Sequence, residues 1–250
     1  IQGRAAGVNV TTGGAPGSRS DIRIRGGGSL DSNQEPLIVV DGLPLSNSNT
    51  DGSRSILSTI NPNDIKSFNI LKDAAATAIY GNRASGGVII IETKDGGKDF
   101  KVDFNYQMGV YDLTDKIDVF SADEFRSIIS EQRPNDVGLL GDANTDWQDE
   151  IYRVATSTDQ NVSIRGQLFD FLPARISLGH RDQDGLRRTS NFTRSTASIS
   201  LNPSFFDDRL RVSLNVNGSF VDNRFADGVE GAAIRFDPTQ PVRDVFSPFG

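Results

Sequence analysis

Between Phe100 and Val110 every second residue is apolar. Phe100, Val102, Phe104, Tyr106, Met108 and Val110 alternate with Lys101, Asp103, Asn105, Gln107 and Gly109. A two-residue period puts all six on one face of a β-strand, and a helix cannot use it. Leu210, Val212, Leu214 and Val216 repeat the pattern against Arg211, Ser213, Asn215 and Asn217, and Phe220 extends the apolar side beyond Gly218. Val162/Ile164, Ala174/Ile176/Leu178 and Ala197/Ile199/Leu201 mark three weaker strands. Strict alternation over about ten residues is what a tilted membrane strand requires, with lipid on one face and a wet lumen on the other. A soluble antiparallel sheet packed on one face has the same period. Alternation alone leaves both open.

The chain ahead of these strands reads differently. Leu37–Val40 is a short apolar run ending at Asp41-Gly42, a dipeptide that accepts the positive φ of a hairpin turn. Asn61 is placed to cap a helical turn beginning at Pro62, where a missing N–H costs nothing. Ser67–Leu71 reads as a strand. Asp73 is expected to cap a small-residue helix over Ala74–Tyr80, closed by Gly81 in the left-handed region. Gly86-Gly87 then turns the chain into Val88–Thr93, its most β-branched run. Upstream, a short strand is expected around Val8–Val10 and a half-buried one over Asp21–Gly26, with Arg23 and Arg25 on one side. Together these predict a small mixed α/β sheet with a helical crossover.

Composition narrows the function. Apolar residues make up 36% of 250, which suits strands and turns better than a helical core. No apolar run approaches the roughly 18 residues of a membrane helix, which leaves a membrane β-barrel open. A net charge of −7 argues against a nucleic-acid surface. With one histidine, His180, and no cysteine, there is little material for acid–base or thiol catalysis, and the chain reads as a non-enzyme without cofactor. Asp182/Asp184 lie in DQDG, which reads as a turn. Asp142, Asn144 and Asp146 have the opening spacing of a calcium loop, but Trp147 stands where a Gly should follow, and Arg153 where the closing Glu is expected.

PLIVVDGLPL followed by INPNDIKSFNILKDAAATAIYGNRASGGVIIIETK resembles the plug domain of TonB-dependent outer-membrane transporters, in the SusC/RagA-like branch. GRAAGVNV and GAPGSRSDIRIRGGGSL upstream match the same plug, and TDWQDEIYR with the strands after it resembles the start of that family's barrel. The resemblance implies an α+β plug domain, a small mixed sheet with short helices, over 1–97. The first five or so antiparallel strands of a transmembrane β-barrel then follow over 98–250, out of about 22. Both chain ends read as truncations. Tyr111–Ser157 is expected as a long outer loop containing a helix at Ala122–Gln132, capped by Ser121 in an SxxE pattern with Glu124. Phe169–Pro173 and Pro203–Asp208 are expected as short inner turns.

The function so implied is import of an oligosaccharide or peptide across the Gram-negative outer membrane, the plug gating the channel. TonB and a SusD-like lipoprotein lid are the implied partners, with outer-membrane lipid around the barrel and no nucleic acid. The resemblance also implies plug arginines locked to barrel carboxylates. Arg25 matches the first such position; at the second this chain has Ile79, with Arg83 four residues later. Asp41, Gly42, Asp73, Gly81, Gly86 and Gly87 are the plug's turn and motif residues. Ser29, Asp31 and Asn33, with Asn47, Asn49 and Asp51, fall in polar loops. Composition reads these as solvated connections; the resemblance puts them at the outer apex, touching substrate. The alternative reading of the chain is a soluble secreted β-rich binding or adhesion module, whose apolar faces pack on each other.

Overall fold

A computed structural model describes residues 8–12, 14–18, 20–24, 35–45, 56–71, 78–84, 86–206, 209–226 and 228–243. The chain forms two compact units: Ile1–Gly109, Ser157–Asp184 and Asn191–Asn223 make the first, and Val110–Thr156, Gly185–Ser190 and Arg224–Gly250 the second.

In the first unit, β1 (Val8–Thr12) pairs antiparallel with β2 (Ser20–Ile24). Ile22 and Ile24 are buried and Arg23 is exposed, as the alternation requires. The mixed sheet follows, built from β3 (Leu37–Val40), β4 (Leu43–Leu45), β5 (Ile65–Leu71) and β6 (Val88–Thr93) in the order β4-β3-β6-β5. β3 is parallel to β6 and antiparallel to β4, while β5 is antiparallel to β6. Asp41 (φ 48°) and Gly42 (φ 85°) both take the left-handed region, the tight hairpin the dipeptide predicted. Ile22, Ile24, Ile38, Ile89 and Ile91 cluster on one side of the sheet. Leu37, Val39, Ala84 and Val88 cluster on the other. Double-sided burial explains why β3 and β6 are continuous apolar runs rather than alternating ones. Each such side chain contributes about 1.5–3 kcal/mol.

Two boundaries differ in detail. β5 starts at Ile65, two residues before the expected Ser67, because the turn Pro62–Asp64 feeds straight into the strand. Its pairing with Thr93 is reached through a bulge between Ile65 and Ser67. Of the expected helix, Ala78–Tyr80 is helical and runs into a 3-10 turn, Gly81–Ala84, in which Gly81 has φ 66°. Asp73 and the rest of that helix lie outside the described residues.

The second sheet is an antiparallel meander of β7 (Lys101–Tyr111), β8 (Ala155–Leu168), β9 (Leu172–Asp184), β10 (Asn191–Leu201) and β13 (Leu214–Arg224), ordered β13-β10-β9-β8-β7. β9 continues through Asp182 to Asp184, so the two aspartates are in strand and not in a turn, and only Gly185 of DQDG lies past its end. Asn191 Nδ2 reaches back to Asp182 at 2.9 Å and Asp184 at 3.4 Å, which holds the extension in place. The run from Leu210 to Phe220 is not one strand either. β11 (Ser204–Phe205) and β12 (Leu210–Arg211) form a separate two-stranded piece, and the chain breaks at Val212-Ser213. Opposite that break stands Pro203, which has no N–H for the ladder; its carbonyl accepts from Val212 N at 3.0 Å.

The faces of this sheet are inverted relative to a soluble one. Val102, Phe104 and Leu214 are 52%, 68% and 51% exposed, and Ile176, Leu178, Ile199 and Val216 share their outward side. On the opposite face Asn161, Ser163, Arg175, Ser177, Arg194, Ser198 and Ser200 are buried. The soluble-module alternative needs those apolar residues covered, and they are not. Among the described residues no helix is long and apolar enough to cross a membrane.

The second unit is organised by caps and carbonyl contacts. α1 (Ala122–Gln132) carries the expected reciprocal capping box between Ser121 and Glu124. α2 (Trp147–Ile151) is capped by Asp146, which accepts from Gln148 N and Asp149 N and pairs with Lys116 at 2.9 Å. Asp146, the last of the three calcium-spaced residues, thus serves a helix end. Trp147 stands edge-on to Phe236 at 4.9 Å and donates from Nε1 to Asp237 O, near the short α3 (Glu230–Ala233).

Asp41 ties the hairpin to its parallel neighbour: its carboxylate accepts from Thr93 N at 2.8 Å and Thr93 Oγ1 at 2.7 Å. Asp41→Ala removes both bonds and leaves a non-glycine, non-Asx residue at positive φ. A loss of about 1.5–3 kcal/mol is expected for a charge-assisted contact, read as faster amide exchange along β3 and β6 in the full-length protein. Asp41→Asn is expected to fall between the two.

Candidate functional site

The segment from Ile56 to Asp64 is two short turns laid against the polar face of the antiparallel sheet. Ile56–Thr59 is a 3-10 turn held by Thr59 Oγ1 donating to Ile56 O. Pro62–Asp64 is the second, with Asn61 Oδ1 accepting from Asn63 N at 3.0 Å. Turns this short leave carbonyls and polar side chains unpaired within themselves. The sheet supplies the partners.

Arg194 on β10 donates from Nη1 to Ser58 O at 3.0 Å and Ile60 O at 2.9 Å. Asn61 Nδ2 donates to Thr196 Oγ1 at 3.1 Å. Asn105 Nδ2 on β7 donates to Asn63 Oδ1 at 2.9 Å. At the centre, Arg175 Nη2 on β9 meets Asp64 Oδ1 at 2.8 Å, with the two side chains only 3% and 7% exposed. Three strands of the sheet therefore hold one nine-residue segment. The approach is close enough to dictate a glycine: a Cβ on Gly179 of β9 would fall 2.3 Å from Asn61 Nδ2 and 2.6 Å from Thr196 Oγ1. Gly96 is forced in the same way, since a Cβ there would lie 2.6 Å from the Pro173 carbonyl. Gly96 N also donates to Asn202 Oδ1 at 2.9 Å.

The Asp64–Arg175 pair is where the energetics concentrate. Charges removed from water lose several kcal/mol of hydration each, which a well-made pair regains and a broken one does not. Arg175 Nη1 has no hydrogen-bond partner among the described residues. It borders a gap of 390 Å³ also lined by Asn161, Ser163 and Arg165. Further along, a cavity of 660 Å³ separates the turns from β10 and β13, lined by Asn61, Thr196, Ser198, Asn215 and Asn217. Val40, Leu43, Leu45 and Ile60 share its wall with these groups and with the Asp41 and Asp64 carboxylates, so the lining is mixed.

The residues expected to act distribute unevenly. Asp41, Gly42, Gly81, Gly86 and Gly87 occupy the turns of the mixed sheet. Gly87 has φ 93°, and a Cβ there would lie 3.1 Å from Ile24. Arg83 is exposed on the 3-10 turn Gly81–Ala84. Arg25, Asp73, Ser29, Asp31, Asn33, Asn47, Asn49 and Asp51 lie outside the described residues. Sequence reasoning missed Asp64, Arg175 and Arg194. The available signal was an arginine on the inward register of a strand whose outward register is Ala174, Ile176 and Leu178. His180, in that outward register, places Nδ1 3.0 Å from Ser195 Oγ.

Comparison with known proteins bears on this geometry. Residues 1–88 match the TonB-dependent receptor plug domain. TonB-dependent receptor SusC of Bacteroides thetaiotaomicron is 46% identical over 260 aligned residues, covering all of this chain and 25% of that protein. TonB-dependent receptor P26 of Formosa agariphila is 35% identical over 97% of the chain and 25% of its own length. The chain thus spans about a quarter of the length of these curated relatives. Among solved structures, the RagAB peptide transporter superposes with a TM-score of 0.76 at 27% identity, over 89% of this chain and 28% of that one.

Arg175→Met strands the Asp64 carboxylate in a buried site. It is expected to weaken the attachment of the Ile56–Asp64 segment to the sheet by about 3–5 kcal/mol, seen as a lower urea midpoint for protease cleavage in that segment. Arg175→Met combined with Asp64→Leu is expected to recover most of the loss, because the stranded charge is then gone. A double variant as weak as the single one refutes the assignment.

Proposed function

The chain belongs to the SusC/RagA-like TonB-dependent receptors, as a plug domain followed by a few antiparallel barrel strands, and from that premise we propose that the full-length protein imports a nutrient across the outer membrane of a Gram-negative cell. In this reading the plug occupies residues 1–97 and the barrel begins at Lys98. TonB supplies the pull, a SusD-like lipoprotein closes over captured solute, and the solute is an oligosaccharide or a peptide. Peptide stays in view because the RagAB structure is that of a peptide transporter.

The observation that carries the proposal is the inverted antiparallel sheet. Its apolar side chains face outward uncovered, while its arginines, serines and asparagines face the plug. Water would penalise the first arrangement and lipid rewards it. The second gives the plug a seat made of hydrogen bonds.

Val216 and Asn217 are neighbours on opposite faces of β13. Val216→Arg is expected to cost about 2–4 kcal/mol if that face meets lipid at the midplane, reducing the protein recovered from outer membranes. Asn217→Arg, on the wet side, is expected to be recovered normally. Equal recovery of both ends the membrane assignment. For the cargo, a strain lacking the gene is expected to lose growth on one class of polymer, glycan or peptide, supplied as sole nutrient. Unimpaired growth on every member of both classes contradicts the import proposal.

A further inference from the structure

Two rows on the inward face of the antiparallel sheet put arginines side by side. Arg165 stands directly across from Arg175, and Arg181 directly across from Arg194. Like charges directly opposite on neighbouring strands are destabilising, so each pair needs something to offset it. The first is answered by Asp64, which Arg175 holds at 2.8 Å. The second is barely answered. Asp159, in the same row, keeps Oδ2 3.9 Å from Arg181 Nη1 and 4.0 Å from Arg194 Nη2, both beyond hydrogen-bond length. Arg194 Nη1 is occupied by Ser58 O and Ile60 O, and Arg181 Nη2 by Gln183 Oε1 at 2.7 Å. Arg181 Nε has no hydrogen-bond partner among the described residues.

Both arginines line a further cavity of 400 Å³, within the range of small-molecule sites. Facing them are the Gly14–Ser18 turn and the Leu57–Ile60 stretch. The turn is fixed against the sheet: Asn223 Nδ2 donates to Gly17 O at 3.2 Å, and a Cβ on Gly17 would fall 2.5 Å from the Phe192 ring. The two cavities described above each carry carboxylates, Asp41 and Asp64 in one, Asp95 and Asp103 in the other. Among its described lining residues this one has two arginines and no acid. It also lies toward the solute's side in the import reading. Asp159 is two residues past Ser157, where the connection expected on the outer side ends. Leu57 and Ser58 follow the polar loop of Asn47, Asn49 and Asp51, which the family resemblance puts at the outer apex.

We propose that this cavity is an oxyanion subsite for the imported solute, in which Arg181 and Arg194 hold a carboxylate, that of a uronic acid or of a peptide C-terminus. A carboxylate supplies the charge the pair lacks and accepts in the plane of a guanidinium fork. Leu57, Ile60 and Phe192 give the rest of the bound unit an apolar wall. The inference rests on the import reading above and narrows its solute to an acidic one.

The test is titration calorimetry on the full-length protein in detergent at low ionic strength, where screening is weakest. The probes are methyl glucuronide and its neutral partner methyl glucoside, acetyl-alanyl-alanine and its C-terminal amide, and sodium sulfate. One or both carboxylate probes are expected to bind and their neutral partners not to, the sugar pair marking a glycan solute and the peptide pair a peptide. Arg181→Gln is expected to weaken that binding by about tenfold or more. Asp159→Asn is expected to tighten it, because the acid that competes for both arginines is gone; a damaged fold does not produce a gain. Sulfate bound while neither carboxylate probe binds marks an adventitious ion only and overturns the proposal. So does equal binding of charged and neutral partners, no binding of any probe, or an affinity that neither substitution moves. The growth test on the deletion strain reads separately. Poor growth with no binding overturns the subsite and leaves import standing, whereas unimpaired growth overturns import whatever binds.

Discussion

A β-sheet whose covered face is polar cannot be held to its neighbour by apolar packing. In this chain the attachment depends on the Asp64–Arg175 ion pair and the hydrogen bonds around it, which join the Ile56–Asp64 turns to β7, β9 and β10. The constraint propagates in both directions. On the plug side it requires turns too short to satisfy their own carbonyls. On the strand side it requires glycine at position 179, where a side chain would collide with Asn61 and Thr196. The outward face, relieved of any packing duty toward the plug, is then free to be apolar.

The polarity of that central pair runs opposite to the lock the family resemblance implies. There the plug contributes arginine and the barrel carboxylate; at this contact the plug contributes Asp64 and the barrel contributes Arg175. Arg25, the residue of the implied lock, lies outside the described residues. The inverse pair has its own logic. Arg175 sits on a strand whose outward neighbours are Ala174 and Ile176, so its inward direction is fixed by register before any plug arrives. A fork of five donors can also serve a carboxylate and still have N–H groups left for the lumen, which a carboxylate in its place could not.

Much of the fold was legible because it rests on local rules. The Asp41-Gly42 hairpin, the Asn61-Pro62 cap, the Ser121/Glu124 capping box and β6 were each fixed by residues within a few positions of one another. The failures were of two kinds. The Leu210–Phe220 run alternates apart from Gly218, yet splits at Val212-Ser213 opposite Pro203, which lies between β10 and β11 and outside any window on β13. Asp182 and Asp184 read as a turn by composition, and cross-strand bonds from Asn191 kept them in β9. The site suffered most from this limit. Asp64 and Arg175 are 111 positions apart, and the INPNDIKS stretch that holds Asp64 says nothing of a partner on a distant strand. Only the inward register of Arg175 hinted that a charge would have to be matched.

A polar seat has a consequence for movement that an apolar one does not. Separating two apolar surfaces exposes area at about 25 cal/mol per Å² with nothing to offset it. Separating Arg194 from Ser58 and Ile60, or Asn61 from Thr196, exchanges each hydrogen bond for one to water, and the net cost of such a bond is only about 0.5–1.5 kcal/mol. The gaps of 390 and 660 Å³ beside the contacts give water room to enter. The buried pair is the exception, because Asp64 and Arg175 have to be parted before either can hydrate fully. A contact built this way rests on one strong interaction and several weak ones. Replacing it with leucines of equal volume would hold the plug at least as well, and would leave it with no inexpensive way out.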